Sequence, residues 1–335
     1  MAKKVAINGF GRIGRLFFRA VYDNFWNDLN VVSINDLFEP KYLAYSLKYD
    51  TVFGRFKGKV SYTDKSLIID GKEIPITAER DPTNLPHAKN EIDVAIESTG
   101  RFTKRPDASK HLEAGAKRVL ISAPATDPDI TVVLGCNDDK ITANHKIISN
   151  ASCTTNCLAP VVKVLHENYK ILNGIMTTIH SYTNDQSNVD VARAGDPSSM
   201  IRGRACAMNM IPTSTGAARA IGLVFPDLKG KLDGIAVRVP TVDGSVVDLK
   251  AVVEKSTTAD EINAKMKQYA EGQLKGILSY TEDPIVSSDV IGDSHSSVFC
   301  SLWTKAIANQ VSLLSWYDNE WGFSNRMAEL IVKKL

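Results

Sequence analysis

Cys153 is the residue of this chain whose type and surroundings are best suited to covalent chemistry. It lies in the polar run 149–156 (SNASCTTN), which precedes an apolar-periodic segment, Cys157–Tyr169. Ser152 or Asn150 could cap the helix that this segment predicts, which places Cys153 in the first turn. A helix N-terminus stabilises a thiolate, and the thiolate is the nucleophilic form of cysteine. The sequence therefore predicts Cys153 as a nucleophile.

His180 is the candidate base for Cys153. It ends a β-rich run, 174–179, and is followed by the polar residues 181–184. A lone histidine on a strand is more often a packed or capping residue, but a nucleophilic thiol requires a base, and strand ends hold such groups rigidly. We expect an ion pair, which would lower the pKa of the thiol and raise that of the imidazole.

The other four cysteines are interpreted as structural, because a small buried core residue is the usual fate of cysteine. An odd number of sparse cysteines in a long chain argues against a disulfide framework. No pair has the C-x-x-C spacing of a zinc site, and we expect no metal. These four residues are Cys136, Cys157, Cys206 and Cys300.

A glycine-rich element at residues 9–14 (GFGRIG) indicates dinucleotide binding, because it follows one predicted strand and opens one predicted helix. Gly9 permits the tight turn, Gly11 lets a pyrophosphate approach the backbone, and Gly14 lets the helix pack on the strand. Asp36 follows the second predicted strand, where an acid accepts hydrogen bonds from a ribose 2′-hydroxyl and repels a 2′-phosphate. The alternative for Asp36 is a turn residue that caps the next helix. Together the two features predict NAD as the cofactor.

The elements that must position these residues differ between the two halves of the chain. In the first half strands alternate with helices, which predicts a parallel sheet, with a hairpin at the Asp70–Gly71 turn. In the second half, runs rich in β-branched and aromatic residues predict a mostly antiparallel sheet covered by helices. Only 258–272 and 322–334 offer later helices comparable to that of 152–169. The fold class is α/β, with an N-terminal Rossmann NAD-binding domain at 1–151 and an α+β catalytic domain at 152–318.

Length and composition exclude several other classes of protein. The 335 residues exceed what one hydrophobic core usually spans, and a formal net charge of +2 gives no general attraction to nucleic acid or to an anionic membrane. No stretch approaches the ~18 apolar residues that cross a bilayer, and the N-terminus has no signal-peptide core. We expect a cytoplasmic protein with no membrane partner and no nucleic acid as its main partner.

Six motifs in order along the chain resemble phosphorylating glyceraldehyde-3-phosphate dehydrogenase of the NAD-dependent type. The similarity covers essentially the whole chain, and the second motif followed by the third is specific. The motifs are NGFGRIGR, SNASCTTN, HSYTND, IPTSTGAA, VRVPT and WYDNEWGFSNR.

The resemblance implies roles for individual residues. Cys153 is the nucleophile, and His180 activates it and acts as acid and base. Asn319 would hold the nicotinamide amide, and Thr99 would line the cofactor cleft. Further cofactor contacts are implied for Arg12, Ile13, Asp36, Arg80 and Ser122. The C3 phosphate of the substrate is assigned to Thr183 and Arg238. Inorganic phosphate is assigned to Ser152, Thr154, Arg202, Thr215 and Gly216.

The resemblance also implies the reaction and the assembly. Cys153 would attack the aldehyde of D-glyceraldehyde 3-phosphate to give a thiohemiacetal, hydride transfer to NAD would leave a thioester, and phosphate would release 1,3-bisphosphoglycerate. Such an enzyme is an aldehyde oxidoreductase of glycolysis (class 1.2.1) and a homotetramer. A C-terminal helix, at about 319–335, would return to the first domain.

One segment departs from the family's pattern, and two alternatives for the function stay open. Residues 191–204 (VARAGDPSSMIRGR) are longer than the family segment ending in K-D-x-R-R-x-R, and Ile201 replaces its first arginine. Because this segment packs near the cofactor of a neighbouring subunit in the family, it bears on NAD preference over NADP and on assembly. The alternatives are an erythrose-4-phosphate dehydrogenase and a non-catalytic NAD-binding protein.

Overall fold

The computed structural model describes residues 2–335, which divide into two compact units. The first unit comprises residues 2–132, 138–151 and 324–335. The second comprises residues 133–137 and 152–323.

The first unit is built on a nine-stranded sheet with the order β3-β4-β5-β2-β1-β6-β7-β9-β8. Every pairing from β5 to β8 is parallel, whereas β3, β4 and β5 pair antiparallel at one edge. The strands are β1 (Lys3–Asn8), β2 (Leu29–Asn35), β3 (Val60–Tyr62), β4 (Ser66–Ile69), β5 (Lys72–Thr77), β6 (Val94–Glu97), β7 (Arg118–Ile121), β8 (Ile130–Thr131) and β9 (Ile147–Ser149). The helices are α1 (Arg12–Asn24), α2 (Pro40–Lys48), α3 (His87–Asn90) and α4 (Arg105–Glu113).

This sheet confirms the predicted Rossmann architecture and shows where a dinucleotide would lie. Strand β1 pairs with β2 on one side and with β6 on the other, so the strand order reverses between β1 and β6. In parallel α/β sheets, ligands bind at the carboxyl ends of the strands at such a reversal. Gly9 follows β1 and Thr99 lies just beyond β6. The predicted hairpin is also present, with positive φ angles of 50° at Asp70 and 87° at Gly71.

The second unit is built on an eight-stranded sheet with the order β11-β12-β10-β13-β17-β15-β14, in which β16 pairs with β17. Most of its pairings are antiparallel, as predicted; β10–β12 and β14–β15 are parallel. The strands are β10 (Ile171–Ser181), β11 (Ile211–Ser214), β12 (Leu232–Val239), β13 (Ser245–Val253), β14 (Leu278–Thr281), β15 (Ser297–Cys300), β16 (Lys305–Ile307) and β17 (Gln310–Tyr317). The helices are α5 (Cys153–Tyr169), α6 (Pro197–Ile201), α7 (Ala217–Val224) and α8 (Ala259–Glu271), and α9 (Trp321–Lys334) begins in this unit.

Helix α7 is the main element that the sequence did not predict. Glycines at 216 and 222 lower the intrinsic helix propensity of this segment. Packing supplies what propensity lacks, because Ala218, Ile221 and Val224 are buried and α7 packs on β12. Strand β8 is short and ends at Thr131, within the apolar run 130–134.

The close packing of α1 on β1 makes Gly14 sensitive to substitution. A Cβ atom on Gly14 would lie 2.1 Å from the carbonyl oxygen of Gly9. We therefore expect Gly14→Ala to lower the free energy of unfolding by about 1–3 kcal/mol, as overpacking does. Gly11→Ala is the matched control, because a Cβ atom there meets nothing within 4 Å. Urea denaturation of both variants tests this, and equal stabilities would contradict it.

Candidate active site

Cys153 is the first residue of α5, and Ser152 is the N-cap of this helix. The Ser152 Oγ accepts a hydrogen bond from the backbone N–H of Thr155 at 3.1 Å. The thiol is partly buried, and it lies where the N–H groups of the first turn converge. Of the two caps that the sequence allowed, the structure uses Ser152.

His180 lies near the end of β10 and faces Cys153. Its Nε2 is 3.5 Å from the Cys153 Sγ, and its Nδ1 is 2.7 Å from the carbonyl oxygen of Ser181. The Ser181 carbonyl oxygen can accept a proton carried on Nδ1, whereas the Arg238 Nη1, 2.9 Å from the same nitrogen, is itself a donor, so these two contacts favour opposite tautomers. The tautomer with the proton on Nδ1, which the Ser181 carbonyl favours, leaves the Nε2 lone pair facing the thiol, as a general base for Cys153 requires.

The pKa shifts of Cys153 and His180 are opposite in direction to those expected for a thiolate–imidazolium ion pair. Burial raises the pKa of Cys153, and the nearby Arg238 guanidinium offsets only part of that rise. Burial also lowers the pKa of His180 to about 3, and the charge of Arg238 lowers it further. A low-dielectric site penalises both charged forms, which opposes the expected ion pair.

The Tyr317 hydroxyl connects the helix that carries Cys153 to the strand that carries His180. It lies 2.8 Å from the Thr154 Oγ1 and 2.9 Å from the Thr178 Oγ1. The ring also packs edge-on against the His180 imidazole, with 5.9 Å between centroids. Sequence reasoning did not single out Tyr317, whose signals are its place at the end of a β-rich run and within the motif WYDNEWGFSNR.

Arg238 lies beside His180 and brings a positive charge to the site. Its Nη1 donates to the carbonyl oxygen of Ser181 at 3.1 Å and to the Thr183 Oγ1 at 3.2 Å. Its Nε is buried and has no hydrogen-bond partner among residues 2–335. An unpaired, buried N–H donor on a charged guanidinium group favours the binding of an anion. The structure thus brings together Thr183 and Arg238, the residues expected to bind one phosphate.

Arg202 is held by an acid that sequence analysis did not single out. Its Nη1 pairs with the Asp185 carboxylate, which also accepts a hydrogen bond from the Thr183 hydroxyl. Arg202 lines a cavity of about 460 Å³ together with Arg193 and several serine hydroxyls. Asp185 therefore links the Arg202 side chain to the Arg238 group through Thr183.

The remaining residues expected to bind inorganic phosphate lie at two helix N-termini. Ser152 and Thr154 begin α5, whereas Thr215 and Gly216 precede α7, with Gly216 as the N-cap. The two ends meet where the Thr155 Oγ1 donates to the carbonyl oxygen of Ala217 at 3.4 Å. Two helix N-termini at one place favour negative charge.

In the first unit, Asp36 is oriented by the glycine loop. Its Oδ2 accepts a hydrogen bond from the N–H of Phe10 at 2.7 Å, and its Oδ1 accepts one from Phe38 at 3.1 Å. A cavity of about 260 Å³ opens beside it. The lining residues are Phe10, Gly11, Arg15, Asp36, Phe38, Tyr42, Leu43 and Ser46. A small, mainly apolar cavity next to a fixed carboxylate fits the adenosine half of a dinucleotide.

The other residues expected to bind the cofactor lie in the first unit, except for Asn319. Arg12 pairs with Asp50 at the start of α1, next to Ile13, and Thr99 donates to the buried Glu97 carboxylate. Ser122 follows β7, and Arg80 lies exposed in the loop after β5. Asn319 belongs to the second unit, where its Oδ1 lies 2.6 Å from the Ser245 Oγ.

Asp243 and Asp318 form a buried carboxyl pair that sequence analysis did not single out. Asp318 accepts backbone hydrogen bonds from Gly292 at 2.7 Å and Trp321 at 2.6 Å, and it directly precedes Asn319. Burial raises the pKa of Asp243 to about 9, and the negative charge of Asp318 raises it further. These effects favour the protonated form of Asp243 at neutral pH.

Residues 2–335 contain neither a candidate membrane-spanning helix nor a candidate metal-binding cluster. None of the helices in this range is both long enough and apolar enough to cross a membrane. Within the same range, no group of three or more His, Cys, Asp or Glu side chains is arranged so that it could hold a metal ion.

Comparison with known proteins identifies relatives across nearly the whole chain. Residues 3–105 match the family model "Glyceraldehyde 3-phosphate dehydrogenase, NAD binding domain", and residues 152–319 match "Glyceraldehyde 3-phosphate dehydrogenase, C-terminal domain". The chain is 55% identical to glyceraldehyde-3-phosphate dehydrogenase of Geobacillus stearothermophilus over 332 residues, covering 98% of this chain and 97% of that protein. It is 54% identical to the Mycobacterium leprae enzyme of the same name, covering 99% of this chain and 98% of that protein.

The buried carboxyl pair predicts a pH-dependent stability. Because the pKa of Asp243 is raised in the folded state to about 9, folding stability falls as the pH rises between the unfolded value and about 9. The slope is at most about 1.4 kcal/mol per pH unit. Asp243→Asn keeps a neutral side chain of nearly the same shape and removes this titration. The free energy of unfolding of the variant, relative to that of the wild type, should therefore be about 2–3 kcal/mol higher at pH 8 than at pH 6.

Chemical denaturation at pH 6 and pH 8 measures this difference in the free energy of unfolding. Asp64→Asn, which replaces an exposed carboxylate in a loop, is the control. A difference between variant and wild type that does not change with pH would show that Asp243 is already ionised.

Proposed function

The chain belongs to the glyceraldehyde-3-phosphate dehydrogenase family, and we propose that it oxidises D-glyceraldehyde 3-phosphate with NAD and inorganic phosphate to 1,3-bisphosphoglycerate. It is an NAD-dependent oxidoreductase. The observation that carries the proposed mechanism is the 3.5 Å contact between the Cys153 Sγ and the His180 Nε2 at the first turn of α5. A protein that only bound NAD would not need this pair.

Cys153 forms the covalent intermediates of this mechanism, and His180 moves the protons. The Sγ bonds to the aldehyde carbon while His180 takes the thiol proton and delivers it to the carbonyl oxygen, which gives a thiohemiacetal. His180 then removes the proton of the new hydroxyl group as hydride leaves the same carbon, which gives a thioester. Phosphate oxygen attacks the thioester, the C–S bond breaks, and the leaving sulfur regains a proton from His180.

Bound NAD supplies the hydride acceptor in this reaction. The glycine loop and Asp36 would hold its adenosine and pyrophosphate, with Arg12, Ile13, Arg80, Thr99 and Ser122 as further contacts. Asn319 would bind the nicotinamide amide. The hydrogen bonds that orient the Asp36 carboxylate toward the cavity at Gly11 support this assignment and favour NAD over NADP.

The two phosphates are assigned to the two anion-binding groups of the second unit. Arg238 and Thr183 would bind the C3 phosphate of the substrate, since the buried Nε of Arg238 needs an acceptor. Ser152, Thr154, Arg202, Thr215 and Gly216 would bind inorganic phosphate near the N-termini of α5 and α7. In this arrangement the incoming phosphate competes with Asp185 for Arg202.

We propose that the enzyme is a homotetramer. Helices α5, α7 and α8 cover one face of the eight-stranded sheet. On strands β10 and β12 the apolar side chains of Ile175 and Ile235 are 67% and 49% exposed. Exposed apolar side chains on neighbouring strands of one sheet are typical of a surface that another subunit covers.

We also propose that the enzyme works in the cytoplasm. All five cysteines are free thiols, and the mechanism requires a reduced Cys153. A reducing compartment keeps such thiols available.

Replacement of Cys153 tests the proposed mechanism directly. Purified wild-type protein should reduce NAD when glyceraldehyde 3-phosphate and phosphate are both present, as followed by absorbance at 340 nm. Cys153→Ser should lower kcat by about 10³-fold or more, because a serine hydroxyl is a poor nucleophile and leaving group here. Cys157→Ser, one helical turn further on, is the matched control and should retain most activity. An unchanged rate in Cys153→Ser would refute the mechanism. Arms with erythrose 4-phosphate and with NADP test the alternative substrate and the cofactor preference.

Replacement of Ile175 tests the proposed assembly. Ile175→Asp introduces a charge into the exposed apolar face of the sheet, so the variant should elute as a smaller species than the wild type in size-exclusion chromatography with light scattering. Tyr62→Asp, at an exposed apolar residue of β3, should leave the wild-type mass unchanged. A wild-type protein that is monomeric at micromolar concentration would refute the proposed tetramer.

A further inference from the structure

Ser245 is a fully buried hydroxyl that the proposed mechanism does not use. It is the first residue of β13 and follows the turn at Asp243–Gly244. Gly244 has a φ of 82°, and a Cβ atom there would lie 2.1 Å from the carbonyl oxygen of Ser287. The turn therefore tolerates only glycine at this position, and it delivers Ser245 to one fixed place.

The hydrogen bonds of Ser245 fix the direction in which its hydroxyl donates. The backbone N–H of Ser181 donates to the Ser245 Oγ at 3.1 Å, and the Ser245 Oγ donates to the Asn319 Oδ1 at 2.6 Å. A backbone N–H can only donate, so Ser245 must accept there and is free to donate its own proton to Asn319. Of the two polar atoms of the Asn319 side chain, only the amide oxygen can accept it.

This chain of bonds determines the orientation of the Asn319 amide. The oxygen is engaged by Ser245, and the Nδ2 has no acceptor among residues 2–335. Rotating the amide by 180° would turn Nδ2 toward Ser245 and leave the Ser245 hydroxyl proton without an acceptor among residues 2–335, so the hydrogen bonds favour the orientation observed. Asn319 therefore presents an N–H₂ group, which can only donate, to a ligand.

We propose that Ser245 is a positioning residue for the cofactor: it holds Asn319 so that the amide N–H₂ donates to the carboxamide oxygen of NAD. The inference rests on the proposed function, in which Asn319 contacts the nicotinamide. Ser245 also links that contact to the strand that carries His180, because Ser181 directly follows the base. The site of the hydride acceptor and the site of proton transfer thus share one hydrogen-bonded chain.

If Ser245 acts through the nicotinamide contact, its loss should affect the binding of NAD⁺ but not that of ADP-ribose, and calorimetry can measure both affinities. Ser245→Ala should weaken the binding of NAD⁺ about fivefold, the effect of one net hydrogen bond, and should leave the binding of ADP-ribose unchanged because ADP-ribose lacks the nicotinamide. Ser245→Thr keeps the hydroxyl and should restore the affinity for NAD⁺. Ser297→Ala removes another buried hydroxyl, which contacts Ser315 at 2.7 Å in the same sheet, and serves as the matched control.

Kinetics and a double-mutant cycle separate positioning from a general loss of structure. Ser245→Ala should raise the KM for NAD⁺ and leave the KM for glyceraldehyde 3-phosphate unchanged. Once Asn319 is replaced by alanine, adding Ser245→Ala should cause no further loss of NAD⁺ affinity, since Ser245 acts through Asn319. If Ser245→Ala does not fold, the isosteric Ser245→Cys, a weaker donor, should give a smaller loss confined to NAD⁺.

The orientation of the amide has its own test on the wild-type protein. The 3-acetylpyridine analogue of NAD⁺ keeps the carbonyl oxygen and lacks the amide N–H₂, so its affinity should be within about twofold of that of NAD⁺. Equal losses for NAD⁺ and ADP-ribose in Ser245→Ala, no loss for either, or additive losses with Asn319→Ala would overturn the inference. A wild-type protein that binds neither ligand would instead refute the proposed function.

Discussion

The Tyr317 hydroxyl is the interaction on which the geometry of the reacting pair depends. It lies within 2.9 Å of the hydroxyls of Thr154, next to Cys153, and Thr178, two residues before His180. Side chains two residues apart on a strand share a face, so the contact that fixes Thr178 also fixes the direction of His180. A phenol can donate one hydrogen bond and accept another, so a fully buried Tyr317 satisfies both neighbours and joins α5 to β10 without water. A nucleophile and its base need this rigidity, since an error of about 1 Å in placement costs orders of magnitude in rate.

The same burial opposes a charge on Cys153 and on His180. A site that excludes water strengthens every interaction with the transition state, but it also penalises a resident thiolate or imidazolium. Proton transfer within the pair then has to accompany the attack on the aldehyde. Arg238 adds a positive charge beside the imidazole and opposes a second one. In the proposed reaction the C3 phosphate of the substrate offsets that charge, so imidazolium becomes easier to form once the substrate is in place.

Local signals in the sequence predicted the parts of the site that depend on neighbouring residues. The glycine loop, Asp36 at the end of β2 and the helix that begins at Cys153 all follow from patterns shorter than about thirty residues. Tyr317 was missed because its partners lie far from it in the chain and meet it only in the folded sheet. The ion pair was expected because two residue types were considered without their burial, and burial reverses both pKa shifts. The buried carboxyl pair of Asp243 and Asp318 was missed because nothing in the sequence indicates that two aspartates 75 positions apart meet in the fold.

Strand direction explains why the functional side chains of the second unit lie in one row. Strands β10 and β12 are parallel, with His180 opposite Arg238, so the base and the guanidinium are neighbours on one face. Strand β13 runs antiparallel to β10 and therefore begins, at Ser245, where β10 ends; β17 runs antiparallel to β13 and ends with Tyr317 opposite Ser245. Because side chains alternate between the faces of a sheet, a slip of one residue in the β10–β12 pairing would place the base and the guanidinium on opposite faces. The register of four strands, set by burial of one face against α5 and α7, is therefore as necessary to the chemistry as Cys153 itself.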